Sequence, residues 1–151
     1  MRNILGIVVL AILQISCVGY VGVVVDNQSK DTIYAYENYI YPDTILPKET
    51  VHTKNSMTII PDGESRDVLL IWDEYSTLFS KYDTIMFFLI RKNTVDNFTY
   101  EDIRKNNRIL ARYDLSLQDV EAFDGYFEYP PSQRMIDSGM KIYINPNNPD
   151  L

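Results

Sequence analysis

The chain has 151 residues and carries 14 Lys plus Arg against 21 Asp plus Glu, a formal net charge of −7. That acidic balance argues against nucleic acid as a partner, because phosphates demand a basic face. One cysteine excludes an internal disulfide, one histidine removes most metal sites, and the length suits a single domain.

The first element in chain order is an apolar run, residues 4–15 (ILGIVVLAILQI), behind the positive charge of Arg2. It has the length and character of a signal-peptide apolar region, and Ser16 is the small residue a peptidase requires before its cut. Cys17 follows at once and is the candidate lipid-attachment residue. In bacterial lipoproteins the thiol at this place is acylated and becomes the new N-terminus. Gln14 departs from the usual pattern, which wants Leu, Val or Ile three residues before the cysteine. Residues 4–25 hold 22 positions without a formal charge, enough to span a bilayer, so an uncleaved transmembrane helix is the rival reading. An ordinary cleaved secretory signal is the third. Residues 18–25 (VGYVGVVV) favour a buried first strand over the second half of a helix, being rich in β-branched side chains. The boundary therefore falls near Cys17, and all three readings put the domain outside the cytoplasm. The expected organisation is a lipoprotein signal peptide over 1–16, one β-rich domain over 17–144 and a disordered tail over 145–151, whose polar and proline-rich sequence does not pack. Without residues 1–16 the net charge is −8, so acyl chains rather than an anionic surface would hold the membrane.

The 12 tyrosines, 6 phenylalanines and 1 tryptophan all follow Cys17, and a chain rich in Tyr, Thr and Ile leans towards sheet. The clearest strands are 22–25, 32–36, 67–71 and 84–91, with further candidates at 57–60, 109–113, 126–129 and 141–144. Turn signals at Asp26-Asn-Gln-Ser29, Pro61-Asp-Gly63 and Pro130-Pro131 separate them. Residues 84–91 are apolar on both faces, as a covered central strand is, and 67–71 have the same character and should join them in the core. Thr99-Tyr-Glu-Asp102 and Ser116-Leu-Gln-Asp119 read as hydroxyl N-caps followed by an acid, which starts short helices near Tyr100 and Leu117. Residues 73–80 supply another turn or two. The fold class is mainly β, an antiparallel β-sandwich-like domain with one to three short helices after an N-terminal signal or anchor segment.

Chemistry is harder to find. His52 lies in a polar stretch that gives it no partner and reads as a solvated side chain. The pairs Asp73-Glu74 and Glu101-Asp102 point apart on either a strand or a helix, so helix-start acids explain them better than two glycosidase carboxylates. No nucleophile elbow, phosphate loop or calcium loop is present, and no catalytic residue, metal or cofactor is implied. Tyr34 and Tyr36 share a strand face, and Tyr39 and Tyr41 repeat the spacing, a ladder that would stack sugar rings if exposed. Cross-strand packing is the simpler reading. Arg104, Lys105, Arg108 and Arg112 put four positive charges into nine residues, which would meet lipid head groups or an acidic partner, or simply complement a helix dipole. Asp-Thr-Ile recurs at Asp31-Thr32-Ile33, Asp43-Thr44-Ile45 and Asp83-Thr84-Ile85, where Asp closes a turn, Thr enters a strand and Ile faces the core.

The chain resembles a group of small uncharacterised lipoproteins of Bacteroides-type bacteria. The likeness rests on Val25-Asp-Asn-Gln-Ser-Lys-Asp-Thr-Ile-Tyr34, Tyr39-Ile-Tyr-Pro-Asp-Thr44, Lys81-Tyr-Asp-Thr84, Tyr100-Glu-Asp-Ile-Arg-Lys-Asn-Asn107, Arg112-Tyr-Asp-Leu-Ser-Leu117 and Tyr129-Pro-Pro131. It implies an envelope location and supplies no activity. It also implies candidate O-glycan sites at Thr32, Thr44 and Thr84, since such bacteria modify Asp-Ser/Thr followed by a small or aliphatic residue. Thr44 is the best placed because it falls in a loop. The other sequon, at Asn27 and Asn97, is weak in such a host. Displayed lipoproteins of this group carry acids soon after the lipidated cysteine, and residues 18–25 carry none, which implies a periplasm-facing domain. The expected function is a lipid-anchored cell-envelope protein, a non-enzymatic interaction or structural module. A glycan-binding module using an exposed tyrosine ladder is the alternative. The expected partners are the membrane, through the N-terminal lipid, and an unidentified envelope protein or glycan.

Overall fold

The computed structural model describes residues 21–43, 45–47, 58–71 and 75–146. Cys17 and the run before it, Thr44, His52, the Asp73-Glu74 pair and tail residues 147–151 lie outside the described residues. The described chain is mainly β, with eight strands and five short helices. In order these are β1 (Val21–Asn27), β2 (Ile33–Asn38), β3 (Thr58–Ile60), β4 (Ser65–Ile71), α1 (Tyr75–Phe79), β5 (Ile85–Arg91), α2 (Lys92–Asn97), α3 (Tyr100–Lys105), β6 (Ala111–Leu115), α4 (Leu117–Ala122), β7 (Tyr126–Tyr129), α5 (Gln133–Asp137) and β8 (Lys141–Ile144).

A three-stranded sheet runs β4-β1-β7 and a five-stranded sheet runs β3-β2-β5-β6-β8. The larger sheet is antiparallel throughout. The smaller is mixed, because β1 pairs with β4 antiparallel but with β7 parallel, Val24 opposite Tyr126. This corrects the expectation of a purely antiparallel domain. The cause is the route of the chain: β6 ends beside the start of β5, α4 carries the chain to the other sheet, and β7 enters at the end where β1 also begins. The Val24 N–H donates to the Gly125 carbonyl at 2.8 Å to join them.

β5 explains its own composition. Ile85, Phe87 and Leu89 face a core shared with Val23 and Val25 of β1 and Phe127 and Tyr129 of β7. Met86, Phe88 and Ile90 face a second core, closed by Leu46, Ile103 and Ile109 with Val95 and Tyr100 packed against it. A strand covered on both faces needs an apolar residue at every position, and each such side chain contributes about 1.5–3 kcal/mol. β4 was expected to share the core with β5, and its Val68 and Leu69 do pack against the first core, but from an edge strand of the smaller sheet. Its Arg66 and Asp67 are exposed while Val68 and Leu69 are half-buried, so no described position of it is fully covered as in β5.

The helix count also exceeds the one to three expected. α3 and α4 start as their sequences demand: Thr99 Oγ1 accepts from the Asp102 N–H at 3.2 Å, and Ser116 and Asp119 form a reciprocal capping box. α2 starts after Arg91, which is no capping residue, and α5 has Ser132 at its N-cap but Met135 where a capping box needs an acid, so neither carries the signature that marks α3 and α4.

The two ends of the domain are distinct. At one, Gly22 O accepts from the Tyr75 hydroxyl at 2.8 Å, and Gly125 (φ 71) lies against both groups so closely that a Cβ has no room. At the other, β1 finishes at Asn27 and β2 begins. Five residue steps of β1 separate Gly22 from Asn27, about 17 Å.

Candidate functional site

At the Asn27 end the β1–β2 connection is built on one buried amide. Asn27 is 0% exposed, and its Nδ2 donates to the carbonyls of Asp31 (2.7 Å), Pro61 (3.0 Å) and Ile60 (3.1 Å). Its Oδ1 accepts from the Ser29 N–H and hydroxyl. The loop so fixed grips the end of β5: Asp31 Oδ2 lies 3.1 Å from Arg91 Nε, and the Lys92 N–H donates to Thr32 O at 2.9 Å. Arg91 is thereby held at the wall of a cleft of about 340 Å³.

The other walls come from the α2–α3 link (Phe98), the α3–β6 link (Asn106 to Leu110) and the end of β8 (Tyr143, Asn145). Asn107 has φ 49, a left-handed conformation that Asn tolerates better than most residues. That turn presents Asn107 O to Asn145 Nδ2 (3.0 Å), whose second acceptor is Ile109 O (3.1 Å). Asn107 Nδ2 reaches the Tyr143 hydroxyl at 3.4 Å. Asn145, placed in the tail by its sequence, is thus part of the wall. The Arg108 guanidinium sits 4.1 Å from the centre of the Phe98 ring, with Nε donating to Asp102 Oδ2 at 2.9 Å. Phe98 and Tyr143 remain 42% and 37% exposed. The two guanidiniums that line this cleft are each paired with a carboxylate just behind the wall, Arg91 with Asp31 and Arg108 with Asp102.

The tyrosine ladder does not form one platform. Tyr34 and Tyr36 do share a face, but Tyr36 packs against the core under α2 and α3, and burial, then Glu37, pushes its phenol pKa up. Tyr39 packs against the inter-sheet core, its ring centre 4.8 Å from that of Tyr82, with its pKa raised by burial and by Glu37. Tyr41 is exposed, its hydroxyl 3.4 Å from Lys141 Nζ. The basic cluster disperses too. Arg104 and Lys105 occupy the last turn of α3, where they suit the dipole, and Arg104 Nε donates to Leu46 O at 2.7 Å. Arg112 forks onto buried Asp114 at 2.7 and 3.1 Å, and only Arg108 joins the cleft. Glu101 and Asp102 open α3 as helix-start acids.

Thr32 and Thr84 are half-buried, Thr84 on the border of a second cavity of about 270 Å³. Asn27 of the first Asn sequon is wholly buried and engaged, which closes it to glycans in the folded chain. Among the described residues no His, Cys, Asp and Glu converge as a metal site, and no helix is long and apolar enough to cross a membrane. The residues that sequence reasoning missed, Phe98, Asn106, Asn107, Tyr143 and Asn145, lie at element ends, and their only signal was an aromatic or amide in turn positions. In comparisons with protein-family models, curated proteins and solved structures, the chain gives no match.

Proposed function

We propose that the chain is a lipid-anchored cell-envelope protein, held through an acylated Cys17 and working as a non-enzymatic interaction module that faces the periplasm. The observation that carries the reading is the polarity of the domain. Cys17 precedes β1 by four residues, a tether of at most about 14 Å. The Gly22 end therefore sits at the membrane, and the cleft, tied to the Asn27 end through Asp31 and Arg91, faces away from it. A tethered domain that presents this polar concavity outward suits capture of a partner. The split tyrosines favour the cleft over the ladder as the binding surface.

Intact mass and membrane partitioning of the full chain, made in a Gram-negative host beside Cys17→Ala, test the anchor. A species beginning at residue 17 with added acyl mass, lost in the variant, supports it. A full-length, membrane-bound product insensitive to the substitution overturns it in favour of a transmembrane helix.

A further inference from the structure

We infer that the Gly22 end of the domain seats its own side chains on the lipid surface, through residues 39–43 and the neighbouring parts of α5 and β8, a deepening that rests on the envelope-anchored reading above. The topology collects this face. β2 runs from Ile33, opposite Arg91, to Asn38, opposite Met86, so the chain that follows it emerges where β5 begins. Ile85 there pairs with Leu115 of β6, and Asp114 pairs with Lys141 of β8. α4 then leads from β6 to the Gly125 carbonyl, which accepts from the Val24 N–H of β1. Residues 39–43, Lys141 and the start of β1 therefore share one end.

That end exposes apolar groups in fixed positions. Ile40 is 67% exposed, the most of any large apolar side chain among the described residues. Its N–H donates to Oδ1 of buried Asn38 at 3.0 Å, and its carbonyl accepts from the Asp43 N–H at 3.0 Å, so the backbone is held with this side chain outward. Tyr41 beside it is exposed, with Lys141 Nζ 5.6 Å from its ring centre. Ile136, also exposed, joins this end on α5, which Arg134 fastens to the Ala122 carbonyl at 2.9 Å. Aliphatic tips flanked by a phenol and a long-stemmed ammonium suit a bilayer interface, the tips below the headgroups and the polar atoms among them. The chain ahead of β1 names the occupant. Residues 4–20 carry no charge and enter the domain at Val21, on this same end, and the four-residue tether from Cys17 reaches at most about 14 Å. Charge does not select the surface, because Lys81 and Lys141 share this end with exposed Asp43, Asp83, Glu121 and Asp124. The contact is apolar and needs no anionic lipid.

The test places tryptophan at residue 41 of the full chain (Tyr41→Trp) in phosphatidylcholine vesicles with and without bromine on the acyl chains. Trp72 is the one native tryptophan, and its emission in the unsubstituted chain is subtracted. The expected result is quenching at residue 41 and none in Asn97→Trp, beside the cleft. Adding Ile40→Asp to Tyr41→Trp should move the ratio of seated to unseated domain about tenfold or more towards unseated, the weight of one buried isoleucine, and so remove most of the quenching. Thermal unfolding shows whether the variants fold, and Ile40→Ser is the second variant if Ile40→Asp does not. Equal quenching in vesicles with and without phosphatidylglycerol supports an apolar seat, whereas quenching that requires the anionic lipid overturns it. Equal quenching at residues 41 and 97, or quenching unchanged by Ile40→Asp, overturns the inference. So does an unquenched residue 41, whether the chain sediments as a monomer or, with a second copy on this face, as a dimer. Intact mass of the same preparation reads Cys17 separately: an acylated chain unquenched at residue 41 sinks only the seat, and an unacylated chain quenched there sinks only the lipid anchor.

Discussion

Replacing Asn27 by alanine should be among the most damaging polar substitutions in the domain. The change removes a donor shared by three carbonyls and an acceptor used twice by Ser29, at a position with no solvent exposure. Each net hydrogen bond is worth about 1 kcal/mol, and stripping donors from buried carbonyls adds about 1–3 kcal/mol, so the loss is about 3 kcal/mol. At about 4 °C per kcal/mol for a domain of this size, the melting temperature falls by about 12 °C. Asn27→Asp is the sharper variant. It keeps the acceptor for Ser29 but turns a carboxylate onto three carbonyl oxygens, so its loss at neutral pH exceeds that of alanine. Because burial raises the folded-state pKa of that carboxyl above its unfolded value, the folded state binds the extra proton. Stability of this variant therefore rises as pH falls through the folded pKa, until general acid unfolding sets in. Thermal and urea unfolding by far-ultraviolet circular dichroism reads both effects. An Asn27→Ala melting temperature within about 2 °C of wild type would refute the reasoning, since an exposed amide gives a change that small.

Other substitutions separate causes that the fold brings together. Gly125→Ala meets Gly22 O and the Tyr75 hydroxyl as well as left-handed strain and should cost about 2–4 kcal/mol, whereas Gly63→Ala (φ 65), with nothing near its Cβ, should cost about 1–2 kcal/mol in urea unfolding. Arg112→Ala strands the buried Asp114 carboxylate and should cost about 3 kcal/mol. The double change with Asp114→Asn should cost less than the sum of the single losses in a double-mutant cycle. Burial raises the Glu37 pKa, opposed by a hydrogen bond with Tyr39, so this carboxyl contributes more stability as pH falls through its folded pKa. Glu37→Gln should raise the melting temperature at neutral pH and remove that part of the pH profile.

The strands were legible because their determinants are local. β5 is apolar from Ile85 to Ile90, β7 and β8 are bounded by turn residues on both sides, and each was read with its bounds to within a residue. The pairing partner of β1 was not legible. Its parallel neighbour β7 lies about a hundred residues later, and nothing local in 126–129 distinguishes parallel from antiparallel pairing. β4 misled because Val68, Leu69 and their neighbours read as a two-faced run, although the exposed Asp67 and Arg66 mark an edge. α2 is made of Lys92-Asn-Thr-Val-Asp-Asn97, poor helix formers, and it exists because it continues β5 over the second core, where Val95 packs. The cleft was invisible for a different reason. It is assembled from the ends of β5, α2, α3 and β8, and chain proximity groups Arg108 with Arg104, Lys105 and Arg112, while the fold sends those three elsewhere.

In the proposed arrangement the domain stands on the membrane by its Gly22 end with the cleft outward. A fluorophore on Glu121→Cys, in α4 at the Gly22 end, and one on Asn97→Cys, beside the cleft, would be compared in vesicles containing nitroxide-labelled lipid. Quenching at residue 121 with little at residue 97 is the predicted result, since the Gly22 and Asn27 ends lie about 17 Å apart along β1. Equal quenching at both positions, or stronger quenching at residue 97, would contradict it.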